Sequence, residues 1–224
     1  GQKKSLSQPN TPKIKIGPQC SSPYSCDLQG QCWDFLPERP VTDLYRDTKK
    51  LGWDLLDQGI SSLSDIPDSV PLNGKQEIQR SASISGEPHV DHDAIRQFLD
   101  TLQWPLCYFD LESFMTAIPP FDGTSPYQQL PFQFSVHNKQ APGEEQEHHE
   151  FLMEHLSEPR ALFMEALQKI VPTTGSIVAY NAPFEKGVLK RCAKAFPKYQ
   201  SWVDSVLPRF VDLLVPFRSF HFYH

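Results

Sequence analysis

The sequence predicts an α/β protein, a mixed sheet flanked by helices behind a helical and irregular N-terminal arm. Three observations carry this. The apolar run Leu106-Cys107-Tyr108-Phe109-Asp110-Leu111-Glu112-Ser113-Phe114 reads as a buried strand entering from Pro105. Pro131-Phe132-Gln133-Phe134-Ser135-Val136-His137 alternates apolar and polar residues, the pattern of a half-buried strand paired with the first. Downstream, helix-period stripes enclose a β-rich run, Gly175-Ser176-Ile177-Val178-Ala179-Tyr180, so helices and strands share one layered core.

The 224 residues suffice for one sizeable core or two small ones, while 21 prolines and a mean hydropathy of -0.44 imply substantial loop. The net charge of -6 is uneven: residues 1–50 hold 8 Lys/Arg against 5 Asp/Glu, and the remainder 13 against 22. An acidic domain does not advertise nucleic-acid binding by bulk charge, although metal cations would supply local positive potential at a site. No apolar run approaches the roughly 18 residues of a membrane span, and no signal-peptide apolar segment opens the chain. Five cysteines, an odd number, without a secretion signal predict a reducing cytoplasm rather than a disulfide framework. An opening Gly1 and the polar-aromatic ending Phe220-His221-Phe222-Tyr223-His224 lead us to expect a natural protein longer at both ends.

Residues 1–33 form a cysteine-containing segment whose first 16 residues are Lys/Ser/Pro-rich and expected to be flexible. Cys20, Cys26 and Cys32 recur every six residues among Pro, Ser and Gly, a loop composition that lets thiols converge on zinc or an iron–sulfur cluster. Three thiols are one short of a closed site. Cys107 and Cys192 read as core, so a fourth ligand would lie before Gly1; incidental free thiols are the other reading. Residues 34–88 read as a helical arm or linker, with Leu44, Leu51, Leu55 and Leu56 at helical spacing up to Gly59. Asn73 is placed to cap a helix ending near Ser85 and anchored by Ile78.

Residues 89–224 form the second domain. Asp91 caps a helix to about Leu102, with Ile95, Phe98, Leu99 and Leu102 on one face. Trp104-Pro105 breaks it and the first strand follows. Phe121 to Pro126 is a turn, Gln140 to Gln146 a loop, and His149 to Met153 a third strand. Glu158-Pro159-Arg160 starts a helix with Leu162, Ala166, Leu167 and Ile170 inward, and Asn181-Ala182-Pro183-Phe184-Glu185 opens another with Phe184, Val188, Cys192 and Ala195 inward. The aromatic tail Phe217, Phe220, Phe222 and Tyr223 is expected to pack as an edge strand.

On a strand, residues i and i+2 share a face, so Asp110 and Glu112 project together. Two ionised carboxylates that close repel unless a cation sits between them, and Mg²⁺ or Mn²⁺ prefers such oxygen ligands; two acids simply facing water is the other reading. In the second segment Asn181 can cap the helix and Phe184 pins the turn. Glu185 then sits in the first turn, where the helix dipole favours an anion and where it can face the first strand. Lys186, Lys190, Lys194 and Lys198 recur every four residues with Arg191 beside them, either tracking phosphates or forming a solvated face. His148, His149, Glu150 and His155 lack the i,i+4 spacing of helical metal ligands and are set aside.

Together Asp110-Leu111-Glu112 and Asn181-Ala182-Pro183-Phe184-Glu185, on this order of strands and helices, resemble the DnaQ-like (DEDD) 3′–5′ exonucleases of the ribonuclease H-like superfamily over residues 104–218. The second motif departs from Asn-x-x-Phe-Asp by carrying Glu, one methylene longer. The cysteine segment resembles the C-terminal iron–sulfur cysteines of RecB-like nucleases, with wider spacing between its first two members. The pair of resemblances points to a bacterial family in which a RecB-like region precedes such a domain. The resemblance implies a ribonuclease H-like sheet and metal-dependent hydrolysis of DNA or RNA phosphodiesters by two Mg²⁺ or Mn²⁺ ions. Asp110, Glu112 and Glu185 would hold the metal, Asn181 and Phe184 support the motif, and Lys186 and Lys190 lie near substrate. The family's last motif, an Asp shortly after a Tyr or His, is not found: Asp204 follows Tyr199 too soon after Glu185, and Asp212 has no suitable partner. That motif is expected beyond His224, leaving this chain weak or inactive alone. The alternative is a non-catalytic ribonuclease H-like module that docks nucleic acid or protein beside a RecB-like nuclease.

Overall fold

The apolar residues of the N-terminal arm gather into a core of their own. In the computed structural model, which describes residues 15–47, 50–154 and 157–224, the chain divides into two units. One runs to His89 and includes Tyr223–His224; the other is Val90–Phe222. In the first, Val41, Leu44, Leu55, Leu63 and Ile66 are buried together. The helical spacing of Leu51, Leu55 and Leu56 is realised in helix α1 (Leu51–Asp57), whereas Leu44 follows a single tight turn, Val41–Asp43. The Asp47 carboxylate accepts the Leu51 and Gly52 N–H groups at 2.8 and 2.7 Å, satisfying donors that a helix start leaves open.

Helix α2 (Gly74–Ser85) begins with a reciprocal cap. The Asn73 side chain accepts the Lys75 and Gln76 N–H groups, and the Gln76 side chain accepts the Asn73 N–H at 3.0 Å. Its inward face is carried by Gln76, Gln79 and Ala82 rather than by Ile78, which is half-buried. The buried Gln79 is satisfied: its amide oxygen accepts the Tyr45 N–H at 2.7 Å and its amide nitrogen donates to the Asp43 carbonyl at 3.1 Å. Asn73→Ala removes the cap and is expected to lower stability by about 1 kcal/mol, read as a lower urea midpoint with an unchanged slope. Cys20 is half-buried, Cys26 and Cys32 are exposed, and all three are free thiols.

The second unit is the predicted α/β layer. After helix α3 (His92–Leu99), capped by the Asp91 carboxylate on the Ala94 N–H at 2.9 Å, come β1 (Leu106–Phe114), β2 (Leu130–Lys139) and β3 (Gln146–Leu152). Helix α4 (Arg160–Ile170), β4 (Ser176–Ala179), α5 (Pro183–Ala195), α6 (Gln200–Val206), β5 (Phe210–Asp212) and the single turn α7 (Val215–Arg218) follow. The five strands lie in the order β3-β2-β1-β4-β5. The first three are antiparallel, and β4 and β5 join parallel to β1. The third strand starts three residues before the predicted His149, because Gln146 and Glu147 pair with Lys139 and Asn138 although they bring no apolar residue.

Cys107, Phe109 and Leu111 of β1 point into the core with Phe134, Phe163, Met164, Leu167, Val188 and Leu189. Phe163 meets Phe134 edge-on at 5.3 Å, and Phe134 stacks on Phe151 at 5.5 Å. The buried stripe of α4 is Arg160, Phe163, Met164 and Leu167, one position round from the predicted face, so Leu162 is exposed. Phe163, edge-on to Phe134 of β2, takes the inward place. In α5 the inward residues are Glu185, Val188, Leu189, Cys192 and Ala193, with Phe184 half-buried against the core and Ala195 exposed. The aromatic tail divides between the α7 turn, which takes Phe217, and a two-residue strand at Phe222–Tyr223.

Candidate functional site

Because β1 alternates, burying Cys107, Phe109 and Leu111 leaves Tyr108, Asp110 and Glu112 exposed together on the other face, as their spacing requires. Asp110 stands opposite Ser135 and Glu112 opposite Gln133, just before the register shift between Glu112 and Ser113. Ser135 meets His148 Nε2 at 3.2 Å, and the His148 ring stacks on His137 at 4.4 Å. His155 lies outside the described residues.

Asn181 does not cap α5. It sits at φ +69, a left-handed conformation that Asn tolerates, and its side chain turns to accept from Arg218 Nη2 at 3.0 Å. The helix instead starts at Pro183, whose missing N–H is one the first turn leaves unpaired anyway. The turn is held from β5: the last residue of that strand, Asp212, accepts the Asn181 N–H at 2.8 Å and the Leu214 N–H at 3.0 Å through Oδ1. Arg218 Nη1 lies 3.9 Å from Asp212 Oδ2.

Glu185 is the unusual group. It is only 3% exposed, and its Oε2 has no hydrogen-bond partner. Burial pushes its carboxyl up from 4.5 to about 7, its own backbone N–H partly offsets this, and the charges of Asp110 and Asp212 raise it further. Two of the three predicted acids, Asp110 and Glu185, therefore feel one another, and Asp212 joins them. Glu112 shares the face of Asp110 but is not among the charges that act on Glu185. By sequence Asp212 has no suitable motif partner, since no Tyr or His precedes it at motif spacing. Its signal was a different one, an acid ending a short apolar strand run, Phe210-Val211-Asp212.

The corner lies at the carboxyl ends of the parallel strands β4 and β5, where α/β sheets open a crevice to ligands. Among the described residues, no group of three or more His, Cys, Asp or Glu side chains is arranged as a ready-made metal site, either here or at Cys20, Cys26 and Cys32. Of the predicted lysines, Lys186 lies 5.9 Å from the Phe210 ring centroid and Lys190 is exposed. No described helix is long and apolar enough to cross a membrane.

Fold and site together define an α/β domain, a mixed sheet flanked by helices with an acidic corner at one end of its parallel strands. The chain belongs to the family described as a domain of unknown function, DUF2779, whose model matches residues 107–224, more than half of its length. No curated protein and no solved structure matches it.

Proposed function

We propose that the second unit is a ribonuclease H-like nuclease domain that hydrolyses nucleic-acid phosphodiesters with Mg²⁺ or Mn²⁺ at its acidic corner. The observation that carries this reading is Glu185, a buried carboxylate with an orphan oxygen and two further acids, Asp110 and Asp212, close enough to raise it. A buried carboxylate without a partner costs stability, and a hard cation is the partner that an all-oxygen set suits. Asp110, Glu185 and Asp212 would hold the ion, with Glu112 beside Asp110. Such an ion would supply an activated water and charge stabilisation at the leaving oxygen. The chain's own residues fix the geometry: β1 sets Asp110, and the Asp212–Asn181 hydrogen bond sets the turn that delivers Glu185. In the full-length protein this domain would act beside a RecB-like region whose iron–sulfur cluster draws on Cys20, Cys26 and Cys32.

A second reading, a ribonuclease H-like module that docks nucleic acid or protein without catalysis, has two observations in its favour. The described side chains gather no three-ligand metal group, and below about pH 7 the raised Glu185 is neutralised by a proton rather than by a cation. The side-chain arrangement thus favours docking, while the two sequence motifs and the orphan oxygen favour catalysis. A cleavage assay of the full-length protein on labelled DNA and RNA with Mn²⁺ or Mg²⁺ separates them. The nuclease reading expects metal-dependent product from the wild type and background levels from Asp110→Asn. Equal behaviour of the two proteins, with no stabilisation by Mn²⁺, would leave docking.

A further inference from the structure

We propose that a second site in the same unit, a cleft between the loop leaving β1 and helices α4 and α5, grips single-stranded nucleic acid through its phosphates and one base. The cleft encloses about 780 Å³, and in a chain of net charge -6 its lining contains Arg160, Arg191 and Lys194 but no carboxylate. The three cations are not equivalent. Arg160 is 4% exposed and is neutralised by Glu158, to which it donates two hydrogen bonds of 2.7 Å. Arg191 instead donates to the neutral Gln129 side chain at 2.6 Å, which orients the guanidinium while leaving its charge intact. Among the described residues neither Arg191 nor Lys194 has a carboxylate within 4.0 Å. Three residues apart on α5, they occupy one face.

The opposite wall displays a ring. Tyr127 is 67% exposed, and its backbone is held at φ +56 by an N–H bond to the Thr116 carbonyl at 2.8 Å. The Ser125 N–H donates to the Gln128 side chain at 3.0 Å, which fixes the loop around it. An open aromatic face beside two unpaired cations fits a base and its neighbouring phosphates, because any base can stack on it. A duplex hides its base faces, and an acidic peptide would satisfy the cations while leaving the ring unused. The proposal rests on the reading of this domain as one that handles nucleic acid, and it needs nothing from the acidic corner.

Anisotropy of short labelled oligo-dT and oligo-U, measured on the full chain in EDTA, tests the cleft apart from catalysis. We expect Arg191→Glu with Lys194→Glu to weaken binding by about tenfold or more. The slope of log affinity against log salt should fall by about 1.4, at about 0.7 for each phosphate neutralised on a single strand. Tyr127→Ala should weaken binding by about fivefold or more. Lys169→Glu, a charge change at an exposed α4 position, should leave binding as it is. If the double Glu variant does not fold, the Gln pair should lower the slope in the same sense. A wild type that binds neither oligonucleotide, a double variant with wild-type affinity and slope, or polyglutamate competing as well as oligo-dT would each overturn the proposal. Binding in EDTA, together with no cleavage by the full-length protein in Mn²⁺, would remove the nuclease reading and leave the cleft standing.

Discussion

Gly175→Ala will destabilise the Val90–Phe222 unit by about 3–5 kcal/mol, the sum of left-handed backbone strain and forced overlap. Gly175 immediately precedes β4 at φ +82, and a Cβ there would run into the carbonyl oxygen of Pro105 and lie 2.7 Å from its nitrogen. Both are backbone atoms in a segment with little freedom to retreat. The Ser176 N–H donates to the Gln103 carbonyl at 2.7 Å, and the Gln103 N–H donates to the Ser176 hydroxyl at 2.9 Å. Arg209 adds a bond from Nε to the Gly175 carbonyl at 2.8 Å. The clash must therefore be relieved by moving β4 against β1, whose register starts at Leu106 opposite Ser176. Chemical denaturation of the full chain checks this; a loss below about 1 kcal/mol would mean that the 103–105 segment yields freely.

Glu185→Gln should change how stability depends on pH. In the folded chain Glu185 titrates at about 7 rather than 4.5. Between those values the native state holds a proton that the unfolded chain has released, so stability falls as pH rises from about 4.5 to about 7 and then levels off. At 1.36 kcal/mol per unit the penalty reaches at most about 3 kcal/mol, less where the corner admits water. Glutamine does not titrate. The variant should therefore be more stable than wild type by about 1–3 kcal/mol at pH 8, with the difference shrinking toward pH 5. If a divalent cation fills the corner, Mn²⁺ should raise the wild-type Tm at pH 8, where the carboxylate is ionised, more than at pH 5. It should do little to the variant. Parallel stability–pH curves for the two proteins would show that Glu185 is not the buried acid the geometry makes it.

The sheet was legible in the sequence because strand alternation is local: one look at residues 106–114 or 131–137 assigns the buried face, and Asp110 and Glu112 fall on the other. Helix faces were less so. On α4, Leu162 and Phe163 compete for the core, and volume against β2 decides for the aromatic, which spacing does not reveal. Glu185 stands out as a motif position, but the charges that raise its carboxyl further belong to Asp110 and Asp212, 75 and 27 residues away. Asp212 carries no sequence signature, because its carboxylate accepts from the backbone N–H of Asn181, to which no residue type at a fixed spacing testifies. The Tyr127 cleft had no signature either, since it joins a loop to helix faces 30 to 70 residues further on. The core of the first unit was masked by glutamines, whose buried amides look polar in a sequence and act as struts in the fold.

The outer strand β3 has a consequence for how the molecule behaves in company. A border strand offers its unused N–H and C=O groups to any passing chain, and proteins discourage this with charge. Here Glu147, His148, His149 and Glu150 occupy the middle of that border, while the opposite border, β5, is only three residues long. A second copy approaching to extend the sheet would meet carboxylates at one margin and too short a ladder at the other. The sheet is thereby discouraged from templating fibrils.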